Sequence, residues 1–358
     1  MTSITIQRKF KLGHLGVDTC PIWVSNHFFK KIMSLDKIDF SKVLNDELVY
    51  GKLMENYDQL GSEWIQHQWF WMNSVYQAFN DHYKYLIVIS LVEKTLQFYD
   101  QMNIKLTYDQ YYSKSYIQIE KFSISELSEK LKLPKETVRR KVLELEKLGV
   151  LKRQKKQIII DRTAFDFVKP EKQIKLTSKY VFLVSQILIK EKIYLSNLNP
   201  KEIEDAVKKN FSFTWRWFYR MQIPMIISYH GVFGDIAKFH IWGTVAMNQA
   251  FNYKKNPDSS KNRSHDRNYS TFNKGVINNK GSDNGVSAMS ISDMTNIPRA
   301  TVIRKCQDLV KLNYLKTNNK KQYIMTGQNI SKILPYQILV FKEKSKFLRK
   351  VLNLLTIQ

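Results

Sequence analysis

The chain has 358 residues, with 57 lysines and arginines against 32 aspartates and glutamates, and so a net charge of +25. Hydrophobic residues make up 43% and aromatic residues 13%, enough apolar surface to offset the entropy of ordering, which excludes a disordered polycation. The two cysteines, Cys20 and Cys306, exclude a disulfide framework or a Cys-rich zinc site. Met1–Phe10 lacks the apolar stretch of a signal peptide. The runs Tyr85–Val92 and Tyr180–Ile189 fall well below the roughly 18 residues of a spanning helix. Composition therefore points to a soluble, cytoplasmic chain with a polyanionic partner, either nucleic acid or an anionic membrane surface.

In chain order, helices are predicted over Glu63–Gln77 and Tyr85–Gln101. Ser123-x-x-Glu126 resembles a capping box opening a short helix that stops near Lys132. Pro134 sits where the next helix begins. There Val138, Val142, Leu145 and Leu148 share one face, with Glu136, Arg139, Arg140 and Lys147 pointing away. A strand at Leu151, a basic turn through Lys152, Arg153, Lys155 and Lys156, and a strand over Gln157–Ile160 follow. Asn199-Pro200-Lys201-Glu202 opens a helix toward Lys209. Residues 253–286 are rich in Asn, Ser, Gly and Lys without an apolar period, which predicts a flexible basic linker over 253–288.

The elements then recur. Ser290-x-x-Asp293 has the spacing of a second capping box, and Pro298 precedes a helix with Val302, Cys306, Leu309 and Leu312 on one face. Leu315-Lys316, a turn through Lys320 and Lys321, and Gln322–Ile324 form a second hairpin. Residues 127–151 and 291–315 align without a gap at an offset of 164, with ten of 25 positions identical, among them Ser128/Ser292, Pro134/Pro298, Thr137/Thr301, Arg140/Arg304 and Lys141/Lys305. A weaker echo sets Trp69-Phe70-Trp71 against Trp217-Phe218-Tyr219 at an offset of 148, with His82 opposite His230. Near the end, Phe347, Leu348, Val351, Leu352 and Leu355 make one apolar helical stripe, suited more to packing on the body or a second chain than to a membrane surface.

The predicted organisation is mainly α and duplicated. An N-terminal half, 1–166, carries its motif at about 122–162; a helical start, 167–252, the linker, a second motif over 289–326 and C-terminal helices over 327–358 complete the chain.

The runs LPKETVRRKVLELEKLGVL and IPRATVIRKCQDLVKLNYL resemble the recognition helix and following strand of bacterial winged helix-turn-helix transcription regulators, the MarR-like and GntR-like groups nearest. The likeness covers about 40 residues in each half, with the Leu-Gly turn changed to Leu-Asn in the second. It implies binding of double-stranded DNA, with the second helix of each motif in the major groove and the hairpin wing beside it. On that footing Lys135, Thr137, Arg139, Arg140, Arg299, Thr301 and Arg304 line the recognition helices. Arginine there can donate two hydrogen bonds to guanine. The threonines suit phosphate. Lys152, Arg153, Lys155, Lys156, Lys316, Lys320 and Lys321 supply the salt-dependent contacts.

Charge placement agrees. Residues 127–160 hold 11 basic and 4 acidic residues, 291–324 hold 7 and 2, and 253–286 hold 7 and 3, together +16 of the +25. Arg139 and Glu136 become Ile303 and Ala300 in the second copy, so a two-part site, nonpalindromic or degenerate, is expected. The function expected is transcription regulation at the nucleoid. A plasmid-type replication initiator with tandem winged helices and a winged-helix protein-interaction module remain alternatives, and a small-molecule effector and a homodimer stay open. No P-loop, dinucleotide fingerprint or acid-base, nucleophile or metal constellation is present, so neither an enzyme nor a cofactor is expected.

Overall fold

The computed structural model describes residues 43–154, 157–255, 268–278 and 284–356. They are mainly helical, with two small antiparallel sheets, and lie within one unit, Lys42–Gln358. The first stretch runs α1 (Asp46–Glu55), α2 (Tyr57–Gln77), α3 (His82–Gln101), α4 (Tyr108–Tyr112), β1 (Tyr116–Ile119), α5 (Ile124–Leu131), α6 (Lys135–Lys147), β2 (Leu151–Gln154), β3 (Gln157–Asp161) and α7 (Glu171–Lys190). The second runs α8 (Pro200–Lys209), α9 (Phe211–Phe233), α10 (Ile236–Lys255), α11 (Tyr269–Asn278), α12 (Ala288–Thr295), α13 (Arg299–Lys311), β4 (Leu315–Thr317), β5 (Tyr323–Met325) and α14 (Ile330–Thr356).

The same local signals build both stretches. Asn45 and Asn199 cap α1 and α8, each side chain accepting a first-turn N–H. Asn56 and Asn210 end those helices, and each donates its side-chain amide to a carbonyl four residues back, at 3.1 Å. Asn80 (φ 49°) and Gly234 (φ 68°) then turn the chain through the left-handed region, which Asn and Gly tolerate best. Asp81 and Asp235 follow as caps, accepting from the amides two and three residues on. All four pairs are 154 residues apart. The upstream repeat therefore runs at that offset, and the expected matches of Trp69–Trp71 with Trp217–Tyr219 and of His82 with His230 are not the structural equivalences. His82 instead meets His240, Nε2 to Nδ1 at 3.1 Å. The structural repeat spans Asn45–Lys190 and Asn199–Thr356, so α7 closes the first copy as α14 closes the second.

The copies interlock. α2 packs on α10, α9 on α3, α1 on α14, α8 on α7, α4 on α9 and α11 on α2, so each copy lies against the helices of the other. Within a copy, α7 returns to α2 and α14 to α9. The core is strongly aromatic. Trp64, Trp71, Phe211, Trp215 and Phe218 are buried, with Trp215 stacked between Phe211 and Phe218. Trp64, Trp71 and Trp215 are thus core residues. Trp217 is half-buried with Arg220 over its ring, and Arg216 pairs with Asp100. The C-terminal stripe Phe347–Leu355 is buried. Lys344 on α14 is fully buried in a box of Tyr57, Trp64, Tyr180 and Phe341, its Nζ 4.2–5.5 Å from their ring centres.

The expectation of a flexible linker over 253–288 is corrected in part. Tyr269–Asn278 is helical, and Tyr269, Phe272 and Val276 anchor it in the core; the apolar spacing of 3 and 4 was hidden by its polar surroundings. Tyr253–Lys255 end α10, Val286 bridges Tyr323, and Ser287 and Ala288 open α12; within the stretch, 256–267 and 279–283 lie outside the described residues. Among the described residues no helix is long and apolar enough to cross a membrane.

Candidate nucleic-acid interface

Each copy carries two short helices joined by a tight turn and followed by a hairpin. Ser123 caps α5, accepting from Glu126 N at 3.0 Å. The cap of α12 is Ser287, accepting from Ser290 N at 3.0 Å, which corrects the expected box at Ser290-x-x-Asp293 by one helical turn. Lys132 (φ 52°) and Asn296 (φ 58°) make the turns. Ser128 Oγ donates to Leu133 O at 2.7 Å and Ser292 Oγ to Ile297 O at 2.8 Å, so the repeated serine clamps the same turn in both copies.

Pro134 and Pro298 are the N-caps of α6 and α13 rather than their first helical residues. Proline offers no side-chain cap, so the amides that open both helices keep their hydrogen-bonding capacity, which makes these ends hospitable to an anion. Val138, Val142 and Leu145, like Val302, Cys306 and Leu309, are buried as expected. Leu148 and Leu312 are half-exposed instead, at 50% and 45%. Both helices end one residue earlier, and Gly149 (φ 72°) and Asn313 (φ 57°) turn the chain so that Val150 and Tyr314 donate to the carbonyls of Leu145 and Leu309, at 3.0 and 2.9 Å. That is the helix-ending pattern in which a left-handed residue returns the chain to the last turn. It shows why Asn replaces Gly here.

The hairpins differ in size. β3 lies between β2 and β1, with Leu151 opposite Ile160 and Ile117 opposite Ile160 on the other side. β4 and β5 pair alone, with a single bridge from Val286 to Tyr323 in place of the third strand. Asn318 organises the second hairpin tip, its Oδ1 accepting from Lys320 N and Gln322 N, while Lys321 (φ 56°) takes the left-handed position.

Two ion pairs fix each second helix to the core helix beneath it. Lys141 Nζ lies 2.7 Å from Asp81 and Lys84 Nζ 3.0 Å from Glu144. Lys305 Nζ lies 2.5 Å from Asp235 and Lys238 Nζ 3.2 Å from Asp308. Burial opposes the charge on Lys141, yet its bonds to Asp81 and Glu144 raise its pKa above the usual value. Burial likewise works against the Asp235 carboxylate, but Lys305 holds its pKa below the ordinary range. These four lysines were not among the expected site residues; the identity of Lys141 and Lys305 in the repeat was their signal.

The expected site residues fall on the outer faces. Lys135, Arg139, Arg140, Arg153, Arg299, Arg304, Lys316, Lys320 and Lys321 are exposed, and Thr137, Thr301 and Lys152 are half-buried. Lys155 and Lys156 lie outside the described residues. The first copy ties most of its cations to acids. Arg139 forms a fork on Glu136 at 2.8 and 2.9 Å, Arg153 meets Glu146 at 2.9 Å, Lys152 meets Asp161 at 2.6 Å and Arg140 approaches Glu144 at 3.9 Å. The Lys152 bond pulls Asp161 down to about 2. In the second copy Arg299, Arg304, Lys316, Lys320 and Lys321 make no ion pair among the described residues. No cluster of three metal-ligating side chains occurs among the described residues. Comparison of the chain with protein-family models, curated proteins and solved structures finds no match.

Proposed function

We propose that the chain is a sequence-specific, double-stranded-DNA-binding transcription regulator with two winged helix-turn-helix units, α5–α6 with β1–β3 and α12–α13 with β4–β5. The observation that carries this reading is the repetition of one complete device. In both copies the capped helix, the serine-clamped turn, the proline-opened second helix, the lysine anchor to a core aspartate and the basic hairpin recur in the same order. A merely solvated face has no need of that rigid support, whereas groove readout requires recognition side chains held on a fixed helix.

In this reading α6 and α13 enter the major groove. The free amides at their starts and Thr137 and Thr301 take phosphates. Arg140 and Arg304 read base edges, and the hairpin cations hold the backbone. Arg139, forked on Glu136, has Ile303 as its counterpart, so the two half-sites differ in sequence. Fluorescence anisotropy with a labelled random-sequence duplex tests the reading. The expected result is binding whose log affinity falls with log salt at a slope of about −5 or steeper, from about −0.9 per phosphate neutralised. A salt-insensitive curve, or none, overturns it.

A further inference from the structure

We propose, on the footing of the DNA-binding reading, that one stripe of side chains on each recognition helix makes the two half-sites differ. Arg139, positioned by Glu136, selects a guanine on α6, where Ala300 and Ile303 on α13 select a thymine. Gln307 adds an adenine where Leu143 asks for no hydrogen bond. The repeat allows the two helices, each Lys or Arg at its start and 13 residues long, to be compared position by position. The outer face of α6 exposes Lys135, Glu136, Arg139, Arg140, Leu143 and Lys147. Its counterparts on α13 are Arg299, Ala300, Ile303, Arg304, Gln307 and Lys311, all exposed except the half-buried Ile303. Three pairs keep a cation: Lys135/Arg299, Arg140/Arg304 and Lys147/Lys311. The other three change chemistry together: Glu136/Ala300, Arg139/Ile303 and Leu143/Gln307. Their spacing is i, i+3 and i+7, which is one stripe of a helix, with Lys135 on one side and Arg140 and Lys147 on the other. The difference between the copies is therefore gathered in a single line between cations that both retain.

The chemistry of the stripe follows from its donors. Arg139 gives Nε–H to Glu136 Oε2 at 2.9 Å and one Nη2–H to Oε1 at 2.8 Å. A guanidinium carries five N–H donors in one plane, so the edge formed by Nη1 and the remaining Nη2 hydrogen is left over. Two parallel donors of that kind match guanine O6 and N7. Glu136 is then a positioning residue, holding the planar group by its inner edge. The pair is 58% and 72% exposed, where an ion pair adds little to stability, and α13 reaches the same length without one. A carboxylate on a helix facing phosphates opposes binding, so its place there is accounted for by the arginine it holds. On α13 the methyl groups of Ala300 and Ile303 suit the thymine C5-methyl, and the Gln307 amide has the donor and acceptor that pair with adenine N7 and N6.

The test is a stripe exchange in the full chain, read by selection of bound duplexes from a random pool. Glu136→Ala, Arg139→Ile and Leu143→Gln together give α6 the stripe of α13 without touching the buried Val138, Val142 and Leu145. Two like half-sites are expected in place of two unlike ones. The reciprocal exchange, Ala300→Glu, Ile303→Arg and Gln307→Leu, is expected to bring a guanine into the second half. Glu136→Ala alone separates positioning from charge. Measured by anisotropy, its preference for the selected duplex over one with that guanine replaced is expected to fall about tenfold, while binding to a random-sequence duplex tightens because a negative charge is gone. Half-sites unchanged by both exchanges, or a Glu136→Ala protein that tightens on both duplexes alike, overturn the proposal. A wild type that enriches a site which the exchanges leave unaltered overturns the stripe alone, whereas a wild type that enriches no sequence overturns the DNA-binding reading and the stripe with it.

Discussion

Lys141 and Asp81 meet at 2.7 Å across the contact between α6 and α3, and the bond recurs 2.5 Å long between Lys305 and Asp235. Each aspartate also caps the core helix it opens, so one carboxylate starts a helix and seats the second helix of the unit above it. All four side chains are at most about one-quarter exposed, so solvent screens these pairs less than surface ones. Lys141→Met and Lys305→Met each leave such an aspartate without its cation and are expected to destabilise by about 1–3 kcal/mol, measured by chemical denaturation. A loss below about 0.5 kcal/mol in both would show that the anchor is decorative.

The buried histidines set an acid limit on stability. His240 Nε2 donates to Asn73 Oδ1 at 2.7 Å, so its Nδ1 accepts from His82 Nε2, and Asn73 passes the chain to Met294 O on α12. Both rings must be neutral. Burial holds His82 at about 4 and His67 at about 3, whereas an unfolded histidine titrates near 6.5. Their contribution is complete above pH 6.5. Below it the unfolded chain takes up protons that the folded chain refuses, so stability falls toward pH 4 by up to about 1.4 kcal/mol per pH unit for each histidine. Denaturation midpoints at pH 7, 6 and 5 check this. A flat profile contradicts it.

Lys344 makes the opposite kind of prediction. Burial pushes its ammonium well below the usual lysine range, and among the described residues its one hydrogen bond is to the Tyr180 hydroxyl at 3.2 Å. Lys344→Met keeps the packing and removes the amine, so it is expected to stabilise by about 1–3 kcal/mol at pH 7. The cost of deprotonating the unfolded lysine shrinks as pH rises toward 10.4, so the gain is smaller at pH 9 than at pH 7. Thermal unfolding at the two values decides it.

The hairpin tip of the second unit separates charge from sequence readout. Lys320 and Lys321 are exposed on a turn ordered by Asn318. Lys320→Ala with Lys321→Ala is expected to weaken DNA binding alike on all sequences and to make the salt slope shallower by about 1–2. An unchanged slope would place the hairpin away from the phosphates.

The sequence carried the repeated motif well, because its signals are local: a cap, a turn, a helical stripe and a basic hairpin each act within a few residues. Asn199 and Pro200 likewise announced α8. What sequence did not show was tertiary. The 154-residue repeat upstream rests on Asn45, Asn56, Asn80 and Asp81, single turn and cap residues scattered among side chains that diverged as they packed on different partners. Tryptophan triplets made a louder but misleading match. Nor do the ion partners of Lys152 and Arg153 follow from spacing, since one lies across the hairpin and the other between strand and helix, whereas Glu136 is a helical neighbour of Arg139.

The most direct test is selection of bound duplexes from a random pool with the wild type, Arg140→Ala and Arg304→Ala in parallel. A two-part site with unequal halves about one helical turn apart is predicted. Arg140→Ala should relax one half and Arg304→Ala the other, each costing about 1–3 kcal/mol. Recovery of no enriched sequence, or of one site that both variants bind as well as the wild type, would contradict two recognition helices in this chain.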